Sequence, residues 1–80
     1  MEKYKNLSES SGVIAYEILD NSIVVHFQDK KGTIKIYEYS AIFIGKANIE
    51  AMKLFAYEGR GLGTFISTNK LVRNNFKMLN

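Results

Sequence analysis

The sequence predicts an α+β domain, a three-stranded antiparallel β-meander followed by one or two C-terminal helices packed on one face. Three observations lead there. Residues 13–39 hold three runs of alternating apolar and polar residues. Short polar clusters separate those runs, and such clusters join antiparallel neighbours. Beyond residue 40 the apolar spacing changes from two to the helical three and four.

The first run is VIAYEIL, where Ile14, Tyr16 and Ile18 recur at period two. Asp20-Asn21-Ser22 supplies a turn. In IVVHFQ, Ile23, Val25 and Phe27 alternate with Val24, His26 and Gln28. Asp29-Lys30-Lys31-Gly32 is the second turn, closing on the residue that best tolerates positive φ. TIKIYEY then sets Ile34 and Ile36 on one face and Lys35, Tyr37 and Tyr39 on the other. Either both faces are partly covered, or a bulge near Tyr37 switches sides. Lys30, Lys31 and Lys35 would protect a sheet edge from unwanted pairing.

AIFI and Gly45 lead the chain off the sheet. Residues 46–57 place Ile49, Met52, Phe55 and Ala56 at helical spacing, with Ser40 or Asn48 as N-cap and Gly59 as stop. The stretch GRGLG makes a corner. A second helix is expected over residues 67–78, with Leu71, Val72, Phe76 and Leu79 toward the core. Lys70, Arg73 and Lys77 then fall on one side of it. Residues 1–10 are polar and read as a flexible N-terminal tail, leaving 11–80 as a single domain.

Composition excludes several function classes. Apolar residues at 46% and charged ones at 24% are ordinary globular usage and argue against disorder. Zero cysteines exclude disulfides and thiolate metal sites, and one histidine cannot build a multi-histidine site. No metal or other cofactor is therefore expected. No apolar run approaches the ~20 residues of a membrane span. MEKYKNLSES lacks the apolar stretch of a secretory signal, so the expected setting is cytoplasmic.

The net charge of +3 is segregated. Residues 1–40 carry five basic and six acidic groups, residues 41–80 six basic and two acidic. Arg60, Lys70, Arg73 and Lys77 lie beyond Glu58, the last acid. A one-sided basic segment is the footprint of an anionic partner, although a charged helix face more often serves only solubility.

Ser10-Ser11, Tyr16, Ile23-Val24-Val25-His26-Phe27, Tyr37-Glu38-Tyr39, Ile42 and Gly63-Thr64-Phe65-Ile66 together resemble the KTSC domain. That small domain occurs alone in bacteria and phages and at the C-terminus of some lysyl-tRNA synthetases. The likeness runs over roughly residues 10–72. Its hairpin between Phe27 and Tyr37 is longer than the family's, and the family's proline after the Y-x-Y strand is absent. The resemblance implies RNA as a partner, through the synthetase association.

Two readings of function follow. In the first, a small non-enzymatic module binds RNA or single-stranded nucleic acid. Lys35, Tyr37 and Tyr39 on an open sheet face, with His26 beside them, would stack bases, while Arg60, Lys70, Arg73 and Lys77 neutralise phosphates. Against the platform stands the plain alternative that the tyrosines pack under a helix. In the second reading the domain binds a protein or itself, as an accessory protein of a phage or mobile element would. Catalysis has little support, because His26 has no evident nucleophile or acid partner and the glutamates show no pairing spacing. GRGLG lacks the lysine and serine or threonine of a phosphate loop and reads as a corner.

Overall fold

The computed structural model describes residues 1–7 and 12–80. The chain opens with a two-residue strand, β1 (Glu2–Lys3), paired antiparallel to β2 (Val13–Ile18). β3 (Ser22–Gln28) and β4 (Ile34–Ser40) complete the expected meander. Its hairpins are closed as the turn residues dictate. The Leu19 amide donates to the Ser22 carbonyl at 3.0 Å. The Asp29 carboxylate accepts from the Lys31 and Thr33 amides, each at 2.9 Å, while Gly32 takes a φ of +90°.

Strand register decides what each face carries. Ile23, Val25 and Phe27 oppose Tyr39, Tyr37 and Lys35 on one side and Ile18, Tyr16 and Val13 on the other. These nine residues therefore share the inner face. The β3–β4 register is unbroken, so β4 has no bulge at Tyr37 and both of its faces are partly covered. The irregularity lies in β2 between Val13 and Ala15. It moves Ile14 out of the alternation and puts Val13, fully buried, where Ile14 was expected.

Four helices follow. Ser40 caps α1 (Ala41–Ile44), its hydroxyl accepting from the Ile42 amide at 3.3 Å. Gly45, at φ +86°, turns the chain into α2 (Lys46–Glu58). That helix buries Ile49, Met52 and Ala56 and half-buries Phe55, the stripe its spacing predicts. Gly59 ends it in the left-handed conformation. α3 (Leu62–Thr68) and α4 (Lys70–Asn74) pack after the corner.

The single helix expected over 67–78 is thus divided. Asn69 leaves helical geometry and its side chain caps α4 by accepting from the Val72 amide at 3.2 Å. Asn74 and Asn75 are weak helix formers, and the chain next becomes β5 (Lys77–Met78), antiparallel to β4. Of the core residues expected there, only Val72 is buried, whereas Leu71, Phe76 and Leu79 are exposed.

The sheet order is β1-β2-β3-β4-β5, and its inner face packs with the helices into one core around Ile23, Val25, Tyr39, Met52 and Leu62. Tyr4 joins that core at 2% exposure, and its hydroxyl accepts from the Leu62 amide at 3.3 Å. The Leu7 amide donates to the Gly59 carbonyl at 2.7 Å. Residues 2–7 are therefore built into the domain, in place of the expected tail. Residues 8–10 of that tail, and Ser11, lie outside the described residues. Among the described residues, no helix is long and apolar enough to cross a membrane.

Candidate functional site

The expected stacking platform is turned inward. Tyr39 is 1% exposed, and burial, helped by neighbouring Tyr37, pushes its hydroxyl far above the ordinary tyrosine range. Tyr37 is half-buried between Phe27, at 5.4 Å between ring centroids, and Phe76, at 4.2 Å. Lys35 is exposed at the far end of the same row, opposite Phe27. The cause is register. Pairing with Ile23, Val25 and Phe27 puts all three on the face the helices cover.

The opposite, partly covered face carries Ala15, Glu17, Val24, His26, Ile36 and Glu38, with Val24 buried. It offers one ring, the half-buried imidazole of His26, whose partners across the strands are Ala15 and Ile36. Ser22 donates to the Glu38 carboxylate at 3.1 Å. Among the described residues no group of three His, Cys, Asp or Glu side chains is placed to hold a metal ion.

The cations do not form the expected helical stripe. Lys70 and Arg73 sit on α4, but Lys77 sits on β5 opposite Glu38. Arg73 is tied back to the end of α3, donating to the Ser67 carbonyl at 3.3 Å. Arg60 is exposed at the corner between Gly59 and Gly61. Tyr4 already satisfies the Leu62 amide next to that corner, so GRGLG acts as a helix stop and turn.

The largest exposure of apolar side chains lies elsewhere. Ile42 is 86% exposed and Phe43 64%. α1 is a single turn, so only Ile44 is buried and Ala41 half-buried, and the other two side chains project outward. Phe43 forms one wall of a groove of about 340 Å³ whose other walls are Asn74, Asn75, Phe76 and Lys77. AIFI was legible as an apolar run leaving the sheet. Its outward half was not, because the split after Thr68 that brings Phe76 and Lys77 to its side is a tertiary outcome.

The chain matches no family model, no curated protein and no solved structure.

Proposed function

We propose that the chain is a non-enzymatic interaction module that docks a protein segment in the groove between α1 and the α4–β5 connection. The carrying observation is the exposure of Phe43, which lines the groove, and of its neighbour Ile42 in α1. Exposed apolar side chains gathered beside polar groups mark a partner site. Lys77 lines the groove, Lys70 and Arg73 lie on the adjoining helix, and no acid follows Glu58. The complementary occupant is a segment with a bulky apolar side chain flanked by carboxylates. The absence of cysteine is consistent with a reducing, cytoplasmic setting.

RNA is the competing partner, favoured by the KTSC resemblance and by the same cations. It loses its stacking surface with Tyr37 and Tyr39 facing the core.

The test titrates the labelled chain with an acidic peptide centred on leucine, its glutamine-for-glutamate counterpart, and oligouridylate. Salt-sensitive binding of the acidic peptide alone, lost in Phe43→Ser, is expected. Binding of oligouridylate but neither peptide, abolished by removing Lys70 and Arg73, would transfer the function to nucleic acid.

A further inference from the structure

We propose a second binding site, for a substituted ammonium ion, at the β1–β2 edge of the sheet, where two tyrosine rings and two carboxylates line one cleft. The site is separate from the groove of α1, and neither proposal depends on the other.

The cleft measures about 350 Å³ and is lined by Met1, Glu2, Tyr16, Glu17, Ile18 and Tyr57. That volume is at the low end for a small-ligand pocket, ~300–1,000 Å³. Register assembles it. Glu2 opposes Tyr16 across the β1–β2 pair, and Glu17 is the next residue on the strand. Tyr57 comes from the last turn of α2 and meets Tyr16 edge to face, with centroids 6.4 Å apart and planes at 83°. The two rings form a corner.

Three features give the corner its chemistry. First, neither carboxylate has a cation. The one ion pair among the described residues joins Lys53 to Glu50, in the middle of α2. Second, Tyr16 is 6% exposed and lines the cleft, and no hydrogen bond to a described residue engages its hydroxyl. Third, the Tyr16 phenol is held in its protonated form. Burial raises the Tyr16 hydroxyl above its ordinary value, and Glu2 and then Tyr57 push it further in the same direction.

A metal ion is a poor occupant, because two carboxylates on opposite sides of one strand cannot close an oxygen cage. An alkylated ammonium needs only one carboxylate beside the rings, and Glu2, paired with Tyr16, shares the face of the ring corner. Its charge faces Glu2, and its carbon-bound surface lies against the rings, whose quadrupoles attract a cation. A free amine and a methylated lysine side chain share this chemistry.

The experiment follows the Tyr16 and Tyr57 ring resonances by NMR during titration with tetramethylammonium chloride. Parallel titrations use tert-butanol, a neutral molecule of similar shape, and sodium chloride. Saturable shifts of both rings with tetramethylammonium alone are expected. Glu2→Gln should weaken binding about fivefold, and Tyr57→Ala should abolish it while Tyr57→Phe retains it. Glu2 and Tyr57 are exposed, so these variants keep the fold, and unchanged core resonances confirm it. Choline and a trimethyl-lysine peptide then separate the two sources, and tighter binding of either supports the site. Equal shifts with tert-butanol, shifts with sodium chloride, or no saturable shift overturn it.

Discussion

The rings of Tyr37 and Phe76 lie 4.2 Å apart, tilted by 39°, and the contact anchors the C-terminal strand to the sheet. After it, the Leu79 amide donates to the Ile36 carbonyl at 2.8 Å. The Asn80 side chain then accepts from the Ile36 amide at 3.0 Å and donates to the Ile34 carbonyl at 2.7 Å. Phe76→Ala removes the ring while leaving these polar partners in place. Since Phe76 is 41% exposed, the expected loss is about 1–2 kcal/mol, below that of a fully buried phenylalanine. Urea denaturation measures it, and the Leu79 amide should exchange faster. An Asn80→Ala change should cost less, because its bonds are solvent-exposed.

Tyr4→Phe tests the attachment of β1. The Tyr4 hydroxyl is the acceptor for the Leu62 amide at 3.3 Å, in a buried setting at the start of α3. Deleting one oxygen leaves that donor without its partner, which costs about 1–2 kcal/mol. Thermal or urea unfolding followed by circular dichroism reads the change. A variant as stable as the parent would show that the hydroxyl contributes nothing to holding residues 2–7 on the domain.

Gly59 is sterically and conformationally constrained at once. Its φ is +75°, and a Cβ there would lie 2.6 Å from Cβ of Lys5. Gly59→Ala should therefore destabilise by more than the ~1 kcal/mol of a left-handed residue alone. Because the Leu7 amide donates to the Gly59 carbonyl, the N-terminal segment should also loosen. Faster exchange at the Leu7 amide, beside a lowered unfolding midpoint, is the expected outcome.

Alkali should unfold the domain through its buried phenols. Burial, and secondarily Tyr37, raises the Tyr39 hydroxyl. Burial, then Glu2 and Tyr57, raises that of Tyr16. The unfolded chain loses these protons near pH 10 and the folded chain later, so the unfolded state binds fewer protons above that pH. Stability is full below about pH 10 and falls as pH rises toward the folded values. Tyrosinate absorbance should show these two phenols ionising later in the folded chain than in urea, and Tyr39→Phe should flatten the decline of the urea midpoint above pH 10.

The meander and α2 were legible because their causes are local. Alternation at period two, the Asp29–Gly32 turn and the Ile49, Met52, Ala56 stripe each act within a few residues. β1 and β5 were not, since two-residue strands carry no periodicity and exist only where an edge receives them. The second helix misled for a related reason. Lys70, Arg73 and Lys77 keep helical spacing, yet Asn69 and Asn75 bound a five-residue helix and Phe76 is drawn onto Tyr37.

The candidate surfaces divide the same way. The sequence by itself determined the α+β class, the central hairpins, the cysteine-free chemistry and the basic excess beyond Glu58. Only the tertiary structure decided which face of β4 is covered, since either face is compatible with one strand's alternation. Pairing with β3 put Tyr37 and Tyr39 on the helix side, a choice of register that depends on the sum of buried area across strands. It likewise brought Phe43 to Phe76 and Tyr57 to Tyr16 from distant parts of the chain. Contacts of that kind are made by packing, and no local pattern encodes them.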